Sequence, residues 1–244
     1  MITVSDQAGI AVVTLDRGKV NALDLDLLRA ISSTFGSLGD AKGVVLTGAG
    51  RAFSAGVDLR RLGDGGASYV GEFVPALRDA LLDIFDCPRP VVAAINGHAI
   101  AGGCLLAMAC DARLMASGTI GLTELLVGLP FPGAAFEIAQ WAAGPAVSTL
   151  IMTGRTLAPY EALDMGLVQQ VVAAEALLGA SLALAEQLAQ IPQQAYATTK
   201  SQLHGATRRR IRELDPDDAE VLALWQSPAA LDRIRRYLDA LTAS

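Results

Sequence analysis

The sequence predicts an α/β core followed by a helical tail, and three observations carry that expectation. Strand-like apolar segments alternate with helix-like ones as far as about residue 172, and only helix-like ones follow. The run Val91 to Ile95 is continuous, apolar and rich in β-branched residues, as in a strand buried on both faces. It passes through Asn96-Gly97 and Gly102-Gly103 into Cys104 to Cys110, whose Ala, Leu and Met content suits a buried helix. Hydrophobic residues make up 52% of the 244 positions, and mean hydropathy is +0.40. That is ample material for a large core and for subunit interfaces.

In chain order, Ile2 to Val4 and Ile10 to Leu15 read as strands joined in a hairpin at Gln7-Ala8-Gly9. Asp24 is the expected N-cap of a helix to Phe35, with Leu25, Leu28 and Ile31 on one face. Gly43 to Thr47 is a buried strand that runs into the turn Gly48-Ala49-Gly50. Gly63 to Gly66 reads as a mobile surface loop, and Tyr69 to Phe85 as a helix ending at Cys87-Pro88-Arg89-Pro90. Beyond the central run, Ala112 to Ala116 is a strand and Thr123 is placed to cap a short helix starting at Glu124. Pro130 to Gly133 is a turn, and Ala134–Ala142 and Ala146–Met152 are helices. Pro159 opens a helix that Gly166 ends, Val168–Val172 is a strand, and Glu175–Gln190 is an apolar helix. From Ile191-Pro192 the pattern is helical to Leu241. The chain thus divides into a core over 1–190 and a C-terminal helical region over 191–244. Trp225, Leu231, Ile234 and Leu238 recur at helical spacing in the tail and suggest more apolar surface than one subunit covers, hence a homo-oligomer.

Composition excludes several classes. Net charge is −6 and the isoelectric point about 4.9, with one basic cluster at Arg208 to Arg212, so a nucleic-acid partner is not expected. Cys87, Cys104 and Cys110 have no metal-ligand spacing and read as reduced thiols of a cytoplasmic protein. The opening MITVSDQAG lacks the basic and apolar regions of a secretory signal. Residues 91–110 hold Asn96, His98 and three glycines between Pro90 and Asp111, which suits a soluble core rather than a membrane span.

The glycine turns invite nucleotide-binding readings, and both fail. Gly48-x-Gly50 lacks a third glycine because position 53 is Phe, and Gly97 to Gly103 is not followed by Lys-Ser/Thr. His98 and His204 have no metal-binding spacing, so no metal is expected. Cys104 lies in an apolar helix, where burial suppresses reactivity, and Ser54 sits in FSAG rather than in a nucleophile elbow.

Two features remain that carry chemistry. The turn before Cys104 leaves N–H groups near Gly102 unpaired at a helix N-terminus, a place suited to a developing oxyanion. The same turn also serves a tightly packed strand–helix join with no ligand. Glu124 lies in the apolar segment IGLTELLVGLPFP. Desolvated there, it would have a raised pKa fit for carrying a proton; otherwise it is a first-turn glutamate that favours the helix dipole.

FSAGVDL at 53–59, INGHAIAGGCLLAMACD at 95–111 and GLTELLVGLPFPG at 121–133 resemble the three signature segments of the crotonase (enoyl-CoA hydratase/isomerase) superfamily. VNALDLDLL at 20–28 and ALDMGLV at 162–168 resemble it too, so the similarity covers essentially the whole chain. The resemblance implies a spiral of ββα units closed by C-terminal helices that help form trimers or paired trimers. It implies an acyl-CoA thioester as substrate, with no separate cofactor because coenzyme A belongs to the substrate. By the same resemblance the Val57 and Gly102 N–H groups form an oxyanion hole, and Glu124 is the catalytic acid/base. Ser54, Ala55, Asp58 and Gly103 then bind substrate, Ala55 near the adenine. Typical hydratases carry a second glutamate directly after the Cys of the GGC turn; here that position is Leu105. The pattern is closer to the Δ3,Δ2-enoyl-CoA isomerase branch, which uses one glutamate. Hydration or thioester hydrolysis is the enzymatic alternative, for which Glu137 beside Glu124 would speak. A non-catalytic acyl-CoA-binding protein is the other.

Overall fold

The computed structural model describes residues 1–214 and 218–242. Strands β1 (Ile2–Gln7) and β2 (Ile10–Leu15) form the expected hairpin. Its two turn residues, Ala8 and Gly9, both have positive φ (54° and 89°), the backbone that matches the twist of a two-residue hairpin. Helix α1 (Leu25–Gly36) starts at Asp24, whose Oδ1 accepts the Leu27 N–H at 2.9 Å.

The chain then repeats one pattern three times: a longer strand, a short strand, a helix. The first unit is β3 (Gly43–Gly48), β4 (Ala52–Ser54) and α2 (Leu59–Phe85). The second is β5 (Val91–Ile95), β6 (His98–Ile100) and α3 (Gly102–Met108). The third is β7 (Ala112–Met115), β8 (Ile120–Gly121) and a 3-10 turn over Glu124–Val127. There follow α4 (Gly133–Ala143), α5 (Val147–Thr153), β9 (Thr156–Leu157), α6 (Pro159–Asp164), β10 (Gln170–Val171) and α7 (Leu177–Ala189). The tail is α8 (Gln193–Leu214), α9 (Asp218–Gln226) and α10 (Pro228–Thr242).

The longer strands build a six-stranded sheet in the order β1-β2-β3-β5-β7-β10, parallel except for the hairpin. The short ones build a second sheet, β4-β6-β8-β9, in which β4, β6 and β8 are parallel neighbours. Strand β5 shows why its sequence is apolar throughout. Val91, Ala93 and Ile95 enter the main core, while Val92 and Ala94 face a second cluster with Leu177 and Ala185 of α7. Both faces of the sheet are covered, so period-2 alternation disappears from the sequence.

Three expectations need correction. Gly63 to Gly66 is not a loop: it lies within α2, where Gly63 is buried beneath Ile234 of α10, and only Gly66 (φ 62°, ψ −157°) leaves helical geometry. That conformation is open essentially to glycine alone, and packing by α10 holds the helix together across it. The strand expected over Val168–Val172 is limited to Gln170–Val171. The apolar stripe of the tail is absorbed at home: Trp225, Leu231 and Ile234 are buried in the chain's own core, with Leu238 packed against it. It is therefore no evidence of surplus surface. Leu241, where the helical pattern was expected to end, falls within α10.

Candidate active site

Because β4, β6 and β8 run parallel side by side, their carboxyl ends deliver three consecutive turns to one place. In an open parallel sheet this is where ligands bind. The turn after β4 carries Ala55, Val57 and Asp58. The turn after β6 carries Ala101 and Gly102, and that after β8 carries Thr123 and Glu124. Ala55, Val57, Asp58, Ala101 and Glu124 line one cavity of about 580 Å³.

The first turn is held by a parallel bridge between Leu23 and Val57. Leu23 N–H donates to the Gly56 carbonyl at 2.7 Å, and Asp58 N–H donates to the Leu23 carbonyl at 2.9 Å. Those bonds flank Val57 on one side, so its own N–H points the other way, with no acceptor among the described residues. Gly56 (φ 81°) lies directly on the second turn: a Cβ there would be 2.4 Å from the Ile100 carbonyl oxygen and 3.2 Å from the Gly102 nitrogen. Only glycine allows the two turns to touch in this way. Gly102 opens α3 as its first residue, so no earlier carbonyl of that helix can receive its N–H. Ala101 before it has φ 51°, a left-handed conformation imposed on a non-glycine residue at the join.

Ser54, Gly102 and Gly103 do not line the cavity, although Ala101, next to Gly102, does. Ser54 is fully buried; its Oγ donates to the Asn21 carbonyl at 2.8 Å and accepts the Gly56 N–H at 3.2 Å, which shapes the loop from behind. Gly103 presses against the Ser54 backbone, where a Cβ would sit 2.3 Å from the carbonyl oxygen. Asp58 does line the cavity, but its carboxylate is committed to the Arg61 N–H at 3.0 Å as the N-cap of α2.

Glu124 is 5% exposed, and both of its carboxylate oxygens are buried without a hydrogen-bond partner. Burial pushes its pKa up to about 8, against a smaller downward pull from the backbone of Glu124 and Thr123. Thr123 occupies the N-cap position as expected, yet its side chain makes no capping bond. Glu137, considered as a second acid, does not reach the cavity. Nor is it solvated: it is buried and ion-paired with Arg210 of α8. Leu105 is 2% exposed within α3, so no acid stands at that position. Cys104 is fully buried and burial raises its thiol pKa, which removes it as a nucleophile.

Several lining residues were not singled out from the sequence as site residues. His98 and Thr119 form one wall, with His98 Nδ1 accepting the Thr119 N–H at 3.2 Å. Leu126, Val127 and Leu129 form another, and Tyr237 and Leu238 close it from α10. A groove of about 670 Å³ between α1 and α2 is larger, but its Arg29 and Glu72 pair with each other at 2.8 Å. Among the described residues, the cavity at the strand ends is the one that holds an unpartnered buried carboxyl.

The profile of the enoyl-CoA hydratase/isomerase family matches residues 5–230. The chain belongs to that family. Its mixed α/β architecture with a C-terminal helical region is the crotonase fold. It superimposes on human mitochondrial Δ3-Δ2-enoyl-CoA isomerase with a TM-score of 0.93 at 28% identity, covering 99% of this chain and 98% of that one. A probable enoyl-CoA hydratase of Mycobacterium tuberculosis gives 0.85 at 28% identity, over 91% and 96% of the two chains. Among curated relatives, a carnitinyl-CoA dehydratase of Salmonella arizonae is 36% identical over 194 residues, 77% of this chain and 74% of that protein. The protein is therefore a crotonase-type acyl-CoA enzyme, and its relatives include both isomerases and dehydratases. Among the described residues, no helix is long and apolar enough to cross a membrane.

Proposed function

We propose that this enzyme moves a double bond, converting 3-enoyl-CoA to trans-2-enoyl-CoA, with Glu124 as the single proton carrier. The observation that carries the reading is the isolation of that carboxyl. It is buried and unpartnered, with Leu105 where a second glutamate would stand, Glu137 paired to Arg210 elsewhere, and Asp58 occupied as a helix cap.

In this mechanism the thioester oxygen accepts hydrogen bonds from the Val57 and Gly102 N–H groups. Ionised Glu124 removes a proton from C2, and the charge spreads onto the thioester oxygen as a dienolate. The two preorganised donors stabilise that charge as it forms. Glu124 then returns the proton to C4, leaving the double bond between C2 and C3. Proton and electron pairs balance with no water and no second base.

Dehydration or hydration is the second reading, favoured by the name of the Salmonella arizonae relative. A carnitinyl group would bring a hydroxyl and a quaternary ammonium. Among the described residues the wall beyond Glu124 offers Leu126, Val127, Leu129 and Leu238, with Tyr237 as its one aromatic ring: no aromatic cage and no uncommitted carboxylate to hold that cation. This supports an uncharged acyl chain. Incubation with 3-hexenoyl-CoA, 2-hexenoyl-CoA and crotonobetainyl-CoA, with products identified by mass and NMR, tests the reading. Rapid conversion of the first substrate alone supports it; brisk hydration of either of the others with 3-hexenoyl-CoA untouched contradicts it. We also infer a homotrimer or a dimer of trimers acting in the cytoplasm, with Met152, Tyr160 and Leu203 among the exposed apolar side chains open to subunit contacts.

A further inference from the structure

We propose that Arg233, on the C-terminal helix α10, is a positioning residue for Glu124; this rests on Glu124 being the proton carrier. Neither oxygen of Glu124 has a partner in hydrogen-bond geometry, and no side chain holds it; only the Glu124 and Thr123 N–H groups of its own turn act on it, so the carboxyl points where that turn points. Its direction is set by the backbone of the Glu124–Val127 turn and by whatever presses on that turn. The turn is thinly packed on its outer side, where Leu125 and Leu126 are 37% and 62% exposed. It closes at Gly128 (φ 75°), whose N–H returns to the carbonyls of Glu124 and Leu125.

Two glycine contacts hold this turn from outside. Leu126 lies on Gly154, where a Cβ would come within 2.7 Å of the leucine Cγ. Arg233 lies on Gly128, where a Cβ would come within 2.1 Å of Nη1 and 2.9 Å of Cδ and Cζ. The end of the arginine stem and its head therefore both cover the glycine, in space that any other residue at 128 would fill. Arg233 makes no hydrogen bond or ion pair among the described residues, so contact is what it contributes. Its neighbours in the helix are anchored: Ile234 is fully buried and Leu231 is 8% exposed. The helix thus transmits the rigidity of the core to the turn that aims Glu124, while Tyr237 and Leu238 wall the same cavity.

Aim matters because a 1 Å misplacement can cost about 10²-fold in rate. Arg233 is exposed, so Arg233→Ala leaves folding intact. Two readouts are needed: kcat and KM with 3-hexenoyl-CoA, and entry of solvent deuterium at C2 of saturated hexanoyl-CoA. The second reports the basic group whatever the net reaction. Arg233→Ala is expected to lower kcat and exchange about tenfold with KM within about twofold, at an unchanged melting temperature. Arg233→Met, which keeps the stem without the charge, restores most of the loss. Gly128→Ala damages activity on its own through the strain of a side chain at φ 75° and through the clash with Arg233; in the Arg233→Ala background the strain remains and the clash is gone, so the combined loss is smaller than the product of the two single effects. Wild-type kcat in Arg233→Ala, or no recovery in Arg233→Met, overturns the positioning role. If Glu124→Gln still exchanges deuterium, the proton-carrier assignment falls, and the positioning role with it.

Discussion

At Glu124 a carboxyl group that ordinarily ionises near pH 4.5 keeps its proton to about pH 8, because burial strips it of water and no partner replaces that water. As a base it must be ionised, so kcat/KM for 3-enoyl-CoA should climb with pH to a plateau above about pH 8, measured as initial rates across pH 6 to 9.5. Stability should run the opposite way. The folded pKa lies above the unfolded one, so the stabilising proton is fully held below about 4.5 and lost as pH rises through about 8. Across that window the wild type should lose stability relative to Glu124→Gln, by at most ~1.4 kcal/mol per pH unit, in parallel denaturant titrations. At the opposite end of the site, Gly102→Pro removes one oxyanion donor and should cut turnover about 10²- to 10³-fold. A folded Gly102→Pro variant with wild-type rate would dismiss that donor.

The three turns that meet at the site come from three copies of one supersecondary unit. Its longer strands were legible because each is short and mostly apolar (GVVLTG, VVAAI and ARLM) and lies next to glycine, proline or a charge. The short strands were not: AFS, HAI and IG are too brief to show a period, and they exist because a parallel neighbour offers them hydrogen bonds. The second sheet therefore went unseen, although it is what brings Val57, Gly102 and Glu124 together. The glycine turns and the acid in an apolar segment were visible, but which glycine faces ligand and which faces protein was not. A Cβ on Gly102 would come within 2.9 Å of Leu23 Cδ1, the end of a side chain, whereas Gly103 is required by the Ser54 backbone 2.3 Å from where its Cβ would lie. Gly103→Ala should accordingly destabilise the fold by about 1–3 kcal/mol through overpacking, read as a lower melting temperature. The lesson of Gly63 is similar. Glycines read as a loop can equally mark where one helix receives another, and the residue that decides it, Ile234, is far away in the chain.

Across the whole molecule the tail is bound to the core by polar and aromatic groups that composition alone does not pair. Lys200 meets Asp111 at 2.8 Å, both side chains nearly buried, and His204 stacks on Phe85 with centroids 3.6 Å apart. Burial holds His204 neutral, with its pKa lowered from 6.5 to about 4, so the unfolded chain binds the extra proton first. Stability is then complete above pH 6.5 and declines as pH falls toward 4, and His204→Phe should flatten that slope in urea titrations. Subunit assembly calls for sedimentation at micromolar concentration, where a species of three or six chains is expected and a monomer alone would refute it. The central claim, one carboxyl moving one proton between two carbons, has a more direct test. 3-Hexenoyl-CoA is incubated in deuterated water with wild type and with Glu124→Gln, and the product is mapped by NMR. Expected is trans-2-hexenoyl-CoA from the wild type, with protium carried from C2 to C4 in every turnover in which Glu124 does not exchange with solvent and deuterium at C4 in the remainder, and no product from the variant. A 3-hydroxyacyl-CoA product from the wild type, or labelled 2-enoyl-CoA from the variant, would contradict it.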